Sequence, residues 1–293
     1  MIPYVRELAF GYGVVEQVSP LIRRVIADNP GPFTFTGTGT YIVGRGEVAV
    51  IDPGPALPDH LAAILKAVEG ERVTAIAVTH HHADHSPLAV PLQAATGATV
   101  YGCAVVGPEP LDTGEVPTEA GHDQHFRPDV SFCGGGAIKG PEWTLEAIPT
   151  PGHTSNHLCY ALPEENACFT GDHIMGWSTT VITPPDGDMT DYLESLQAIA
   201  DRGFSTLWPT HGPPVRDVAP FISAYQTHRQ DRLEQILGGL AAGPARVSDL
   251  VPRLYSDVDP RLWPAAARSM QAGLIHLQRL GRIAADGDVF RLA

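Results

Sequence analysis

Thr79-His80-His81-His82-Ala83-Asp84-His85 follows directly on the apolar run Val73-Thr-Ala-Ile-Ala-Val78. A short continuous apolar run of this kind reads as a strand buried on both faces. In extended backbone alternate side chains point the same way, so His80 and His82 can grip one ion. Asp84 and His85, where the chain turns, can aim at a second position. Imidazole and carboxylate are the ligands zinc takes where thiolates are lacking. Single ligand-type residues then recur after later strand-like runs, in Gly152-His153-Thr154, Gly171-Asp172-His173 and Thr210-His211-Gly212.

Outward from this segment, Tyr41 to Gly44 and Val48 to Ile51 read as two strands across the Gly44-Arg-Gly46 turn, the second stopping at Asp52-Pro-Gly54. Leu61, Ile64, Leu65 and Val68 repeat at helical spacing. Leu145 to Ile148, His157 to Ala161, Ala167 to Thr170 and Thr206 to Trp208 are further strands, and Asp191 to Ala200 a helix with Thr190 or Asp191 as its N-cap. Two such rounds imply a layered α/β body. The composition changes near Pro213. A helix is expected from Ala219 to about Leu240, closed by Gly238-Gly239 and Gly243-Pro244, then helices at Val247 to Tyr255 and Leu262 to Leu280, then a hairpin turning at Asp286-Gly287. Helix, helix and a two-stranded wing is a winged-helix pattern. The division predicted is 1–218 and 219–293.

The set His80, His82, Asp84, His85, His153, Asp172 and His211 resembles the metallo-β-lactamase superfamily, whose His-x-His-x-Asp-His pattern is followed by His, Asp and His on an αββα sandwich. The likeness spans roughly residues 20 to 215, and Asp52-Pro-Gly54 resembles the family's early aspartate turn. It implies a first metal on His80, His82 and His153, a second on Asp84, His85 and His211, and Asp172 bridging them. It further implies two zinc ions per chain, with metal-bound hydroxide attacking a carbonyl or phosphoryl centre and Asp84 as the proton shuttle. In di-iron relatives Glu stands at the position of His82, so His82 favours zinc, with manganese or iron as the alternatives. Gly171-Asp-His-Ile-Met-Gly176-Trp-Ser-Thr179-Thr180, His228-Arg229-Gln-Asp-Arg232 and the winged helix together resemble the β-lactamase-like protein 2 group, a characterised member of which cuts single-stranded RNA.

The remaining histidines have plainer readings. His81 is expected to point away from the metals, and His157 and His173 to support the ligands or line the pocket. His122 and His125, in Glu119-Ala-Gly-His-Asp-Gln-His, read as polar loop residues rather than an extra metal site. His60, His228 and His276 read as structural. Trp177, Ser178 and Thr180, with His173, are the candidates for substrate contact, against packing at the domain junction. Cys103, Cys133, Cys159 and Cys168 are widely spaced without a Cys-x-x-Cys pair, so they read as buried apolar residues and no disulfide is expected.

The 293 residues hold 19 Lys and Arg against 33 Asp and Glu, a formal net charge of −14, and 43% are hydrophobic. Residues 1–218 carry 10 basic against 26 acidic side chains, net −16, and residues 219–293 nine against seven, net +2. So acidic a body repels nucleic acid over most of its surface, which confines any such contact to the C-terminal domain. No apolar run approaches the roughly 18 residues a membrane span needs, and Met-Ile-Pro-Tyr-Val-Arg-Glu lacks a signal-peptide pattern, so a cytoplasmic location is expected. Three functions remain: a zinc hydrolase of a small ester, thioester, lactone or lactam, a metal-dependent endoribonuclease, and a non-enzymatic metal-stabilised winged-helix binding protein. The hydrolase ranks ahead of the nuclease because the body is strongly acidic, and the closed four-ligand site of a structural zinc argues against the third reading, which does not need seven ligands. A homodimer is the commonest assembly.

Overall fold

The computed structural model describes residues 2–105, 121–256 and 258–293. Strands β1 (Val15–Gln17), β2 (Ile22–Ile26), β3 (Gly39–Arg45) and β4 (Glu47–Ile51) run antiparallel. Helix α1 (Pro58–Ala67) leads to β5 (Arg72–Ala77), α2 (Ala89–Thr96) to β6 (Thr99–Gly102), and β7 (Val130–Ser131) completes a seven-stranded sheet whose last four strands are parallel. The second sheet holds β8 (Gly136–Lys139), β9 (Thr144–Pro149), β10 (Leu158–Leu162), β11 (Ala167–Gly171) and, after α3 (Met189–Asp201), β12 (Thr206–Pro209), in the order β12-β11-β10-β9-β8.

Strand periodicity sorts side chains into layers. In β3, Tyr41 and Val43 enter the core between the sheets, while Ile42 faces α1 and α2 with Val50 and Ile64. In β10, Leu158 and Tyr160 join the central core, while Cys159 and Ala161 face Tyr192, Leu196 and Tyr225. The result is the αββα sandwich expected from the sequence. Two buried phenols stitch the sheets at one edge: Tyr41 donates to the Pro209 carbonyl (2.7 Å) and Tyr160 to that of Val78 (3.0 Å). The carboxyl ends of β4, β5, β11 and β12 therefore meet.

The chain continues through α4 (Val218–Ala241), α5 (Val247–Leu254), α6 (Trp263–Arg279) and the hairpin β13 (Ile283–Asp286) and β14 (Val289–Leu292), a winged helix. Helix α4 belongs to two cores. Phe221, Ile222 and Tyr225 pack on the second sheet's outer face, and Leu233, Ile236, Leu237 and Leu240 in the C-terminal core. The predicted boundary after 218 therefore meets a helix shared by both parts. Gly238-Gly239 does not close α4 but lies within it, and Gly239 lets Leu250 of α5 approach: a Cβ there would stand 2.9 Å from its Cδ2.

Two further expectations are corrected. Helix α3 is capped by Asp188, not by Thr190 or Asp191, because the Asp188 carboxylate reaches both of their backbone N–H groups. Cys103 and Cys133 form a disulfide, brought together by the pairing of β6 with β7 across 30 residues of sequence. Cys159 and Cys168 are free and buried, as expected. Among the described residues no helix is long and apolar enough to cross a membrane.

Candidate metal centre

Asp52 organises the strand ends. It follows β4 with a φ of +47°, a left-handed conformation that Asp tolerates better than most residues. Its carboxylate is fully buried. Oδ1 accepts from the Thr79 backbone N–H (2.8 Å), and Oδ2 from Thr79 Oγ1 (2.8 Å), His85 Nδ1 (2.8 Å) and Thr210 Oγ1 (2.9 Å). One side chain thus fastens the ends of β4, β5 and β12.

The histidines are oriented by their second nitrogens. His80 Nδ1 donates to Thr79 Oγ1 (3.0 Å), His153 Nδ1 to the Val181 carbonyl (2.7 Å) and His211 Nδ1 to the Gly37 carbonyl (3.2 Å). With Nδ1 of His85 on Asp52, four rings turn Nε2 inward, the nitrogen left to a metal when Nδ1 is hydrogen-bonded. His157 donates from Nδ1 to Thr150 Oγ1 (2.8 Å) and accepts from the Asp172 N–H at Nε2 (3.2 Å), so it braces the aspartate. Gly171 lets that turn pass: its φ is +51° and a Cβ would fall 2.7 Å from His157 Nε2.

The inward atoms converge. Ligand atoms of His80, His82 and His153 lie within 4.8 Å of one another, and so do those of Asp84, His85 and His211 and those of His80, His85 and Asp172. His211 Nε2 stands 3.1 Å from Asp84 Oδ2 and 3.4 Å from Asp172 Oδ1, which is 3.6 Å from His85 Nε2. Asp172 Oδ2 lies 3.8 Å from His153 Nε2, so this carboxylate faces both groups. Nε2 of His80, His85 and His211 and Oδ1 of Asp84 and Asp172 are buried without a hydrogen-bond partner. Orphaned donor atoms facing one another at this density cost several kcal/mol unless a cation takes them up, and the donor set fits two dications.

Charge follows the same division. Burial, and then His85, His82 and His153, hold His80 well below the usual imidazole value. Burial acts likewise on His85, but Asp84, Asp172 and Asp52 outweigh it and raise His85 well above 6.5. Burial would raise Asp84, yet His85 and His211 keep it at about 2. Asp172 is held below the carboxylate range against burial by His211, His85 and His153.

Residues 34–211 match the family model of the metallo-beta-lactamase superfamily. The chain belongs to this superfamily. Residues 247–291 match the beta-lactamase associated winged helix domain. Among metallo-beta-lactamase relatives, the beta-lactamase-like protein 2 homolog of Caenorhabditis elegans is 32% identical over 255 residues, 83% of this chain and 79% of that one. An atrochrysone carboxyl ACP thioesterase of Aspergillus chevalieri is 30% identical over 240 residues, 77% of this chain and 68% of that one. The crystal structure of a metallo-beta-lactamase family protein from Thermus thermophilus superposes with a TM-score of 0.77 at 24% identity, covering 94% of this chain and all of that one.

In this metallo-beta-lactamase body the centre opens into a cavity of about 380 Å³, lined by His82, Asp84, His153 and Asp172 at one end. Trp177, Ser178 and Thr180 line its side. Their loop is also packing: Trp177 stacks on Phe35 with ring centroids 4.9 Å apart, and Tyr225 of α4 donates to the Ser178 carbonyl. His173, expected to touch substrate, is fully buried outside the lining, and its carbonyl accepts from Thr180 Oγ1 (3.0 Å) and the Tyr192 hydroxyl (2.9 Å). His81 points away from the centre, donating to Asn156 Oδ1 and accepting from His122 Nδ1, both at 2.8 Å. His81, His122 and Asp186 bring ligand-type atoms within 4.8 Å of one another. Glu119 and Ala120 lie outside the described residues. Sequence reasoning missed the Gly37 and Val181 carbonyls, because backbone acceptors carry no residue signal, and Asn156, whose side chain meets His81 from 75 residues away.

Proposed function

We propose that the protein is a binuclear zinc hydrolase of a small carbonyl substrate, a thioester foremost, with an apolar acyl part. The observation that carries this reading is the cavity. It runs from Asp84 and Asp172 to a wall formed by Leu233 and Ile236 of α4 and by Ala266, Met270 and Gly273 of α6. A largely apolar cleft with a few polar groups at one end suits a small amphipathic molecule. The thioesterase name of one relative supports the choice within the ester class.

His80, His82 and His153 would hold one ion, Asp84, His85 and His211 the other, and Asp172 both. Bound there, zinc supplies Lewis acidity and a water whose pKa falls towards about 7. Asp84 lines the cavity and stays ionised near neutrality, so its carboxylate can take a proton at Oδ1. His211 Nε2, 3.1 Å from Asp84 Oδ2, is the nearest ring to that carboxylate, and His85 is tethered beside it through Nδ1 to Asp52. The loop from Trp177 to Thr180 and the wall of α4 and α6 would flank the acyl part.

Endoribonuclease activity ranks second. The arginines of the C-terminal domain favour it, but α6, the helix that precedes the wing, turns Ala266, Ser269 and Gly273 into the cavity rather than outward. The test is a parallel panel on the zinc-loaded protein: an acyl thioester, an aryl ester, a chromogenic lactam and single-stranded RNA. Thioester cleavage should be fastest, stop with chelator and return with zinc. RNA cleavage with the thioester and ester untouched would overturn the proposal.

A further inference from the structure

Two arginines on α4, one turn apart, face the cavity from the C-terminal side. Arg229 is 5% exposed, and its Nη2 donates to the Thr180 carbonyl (2.6 Å) while its Nε is buried without a hydrogen-bond partner. Its guanidinium lies over the Tyr192 ring, 4.8 Å from the centroid. Arg232 is half-buried, lies over Tyr255 at 4.5 Å and donates from Nη1 to Gln235 Oε1 and the Leu254 carbonyl. Both line the cavity. Neither forms an ion pair with a carboxylate among the described residues, although the chain has 33 acidic side chains.

A buried guanidinium without a counter-ion is costly, and the cost is relieved when an anion arrives. The Tyr192 and Tyr255 rings back the two guanidiniums, and each guanidinium keeps N–H groups beyond those that bond Thr180, Gln235 and Leu254. His228, beside them on the cavity lining, is pushed down to about 4 by burial and then by Arg229 and Arg232, which outweigh the opposing pull of Asp231.

We infer that Arg229 and Arg232 form a receptor for an anionic group, carboxylate or phosphate, on an otherwise apolar substrate, so that the cavity selects amphipathic anions. The inference rests on the hydrolase reading for the fate of the bound molecule and not for its binding. The anion has two sources: a carboxylate at the far end of the acyl chain, or the phosphate of a phosphopantetheine thiol arm. Clamping Thr180 is the other task open to Arg229, but that would affect every ligand alike. Anion recognition alone changes the ratio between charged and neutral ones.

Non-hydrolysable thioethers separate these cases by calorimetry on the zinc-loaded protein. Three compounds share a decyl chain: methyl-ended on N-acetylcysteamine, carboxylate-ended on N-acetylcysteamine, and methyl-ended on phosphopantetheine. At least one anionic compound should bind about tenfold more tightly than the neutral one, and which of them does so identifies the source. Arg229→Gln and Arg232→Gln should each erode that preference, and Arg229→Lys retain part of it. Circular dichroism checks folding; should Arg229→Gln not fold, Arg232→Gln and Arg229→Lys carry the test. Equal affinity for all three compounds, or a preference untouched in the variants, would overturn the inference. No turnover is read, so an anion preference without thioester cleavage defeats only the hydrolase reading, and cleavage without a preference defeats only this one.

Discussion

Asp52 shows how much of a metal centre one buried carboxylate can organise. Replacing it with Ala strips His85 of its Nδ1 acceptor and releases Thr79 and Thr210. Metal affinity in Asp52→Ala should fall roughly 10- to 100-fold, the range typical for lost supporting partners, read by chelator competition. Unchanged affinity would remove Asp52 from the account. His60, by contrast, lies outside the donor cluster. Burial lowers it from 6.5 to about 4, with Nε2 against Thr40 Oγ1 at 2.8 Å. Between these values the unfolded chain binds a proton that the folded chain refuses, so stability falls as pH drops through that window. His60→Gln removes this proton uptake, and its melting temperature should decline less from pH 6.5 to 4 than that of the parent.

At the level of elements, the loop bearing His153 docks directly on the first turn of α3. Gly152 has a φ of +135°, and a Cβ there would stand 2.3 Å from the Tyr192 Cα, a backbone atom that cannot swing aside. Gly152→Ala should destabilise the protein by more than about 2 kcal/mol and weaken metal binding, measured by denaturant unfolding and zinc titration. The cap of α3 gives a milder case. Asp188 holds two N–H groups and pairs with Arg279 of α6, so Asp188→Ala should cost about 1–2 kcal/mol by the same unfolding assay. Strands β3, β4, β5, β9, β10, β11 and β12 were legible as apolar runs ending in turns. The N-cap was not, because Thr190 and Asp191 have equally good capping side chains and only the path of the chain chose Asp188.

Across the whole molecule, α4 serves as the second sheet's outer layer, the C-terminal core's first helix and one wall of the cavity. Tyr225 and Arg229 hold the loop of Ser178 and Thr180 from above. A chain ending at residue 218 loses Phe221, Ile222 and Tyr225 from a core that also contains Tyr192 and Leu196. It should therefore aggregate or unfold, with weak near-ultraviolet dichroism, whereas the full chain should melt in one transition. A folded, metal-binding 1–218 fragment would show that the two cores are independent.

The αββα body and the clustering of the seven His and Asp candidates were legible through the resemblance their motifs carry, because those motifs sit in the short segments after strands whose ends the fold brings together. The winged-helix pattern was readable from helical periodicity and the Asp286-Gly287 turn, both local signals. Tertiary structure alone decided that His173 is buried while Trp177 lines the cavity, that Cys103 meets Cys133, and that Arg229 faces the cavity without an ion-pair partner among the described residues. Those outcomes depend on contacts between segments far apart in the chain, where the packing of α4 and α6 against the sandwich sets which side chains meet. No residue pattern within any one segment encodes that packing.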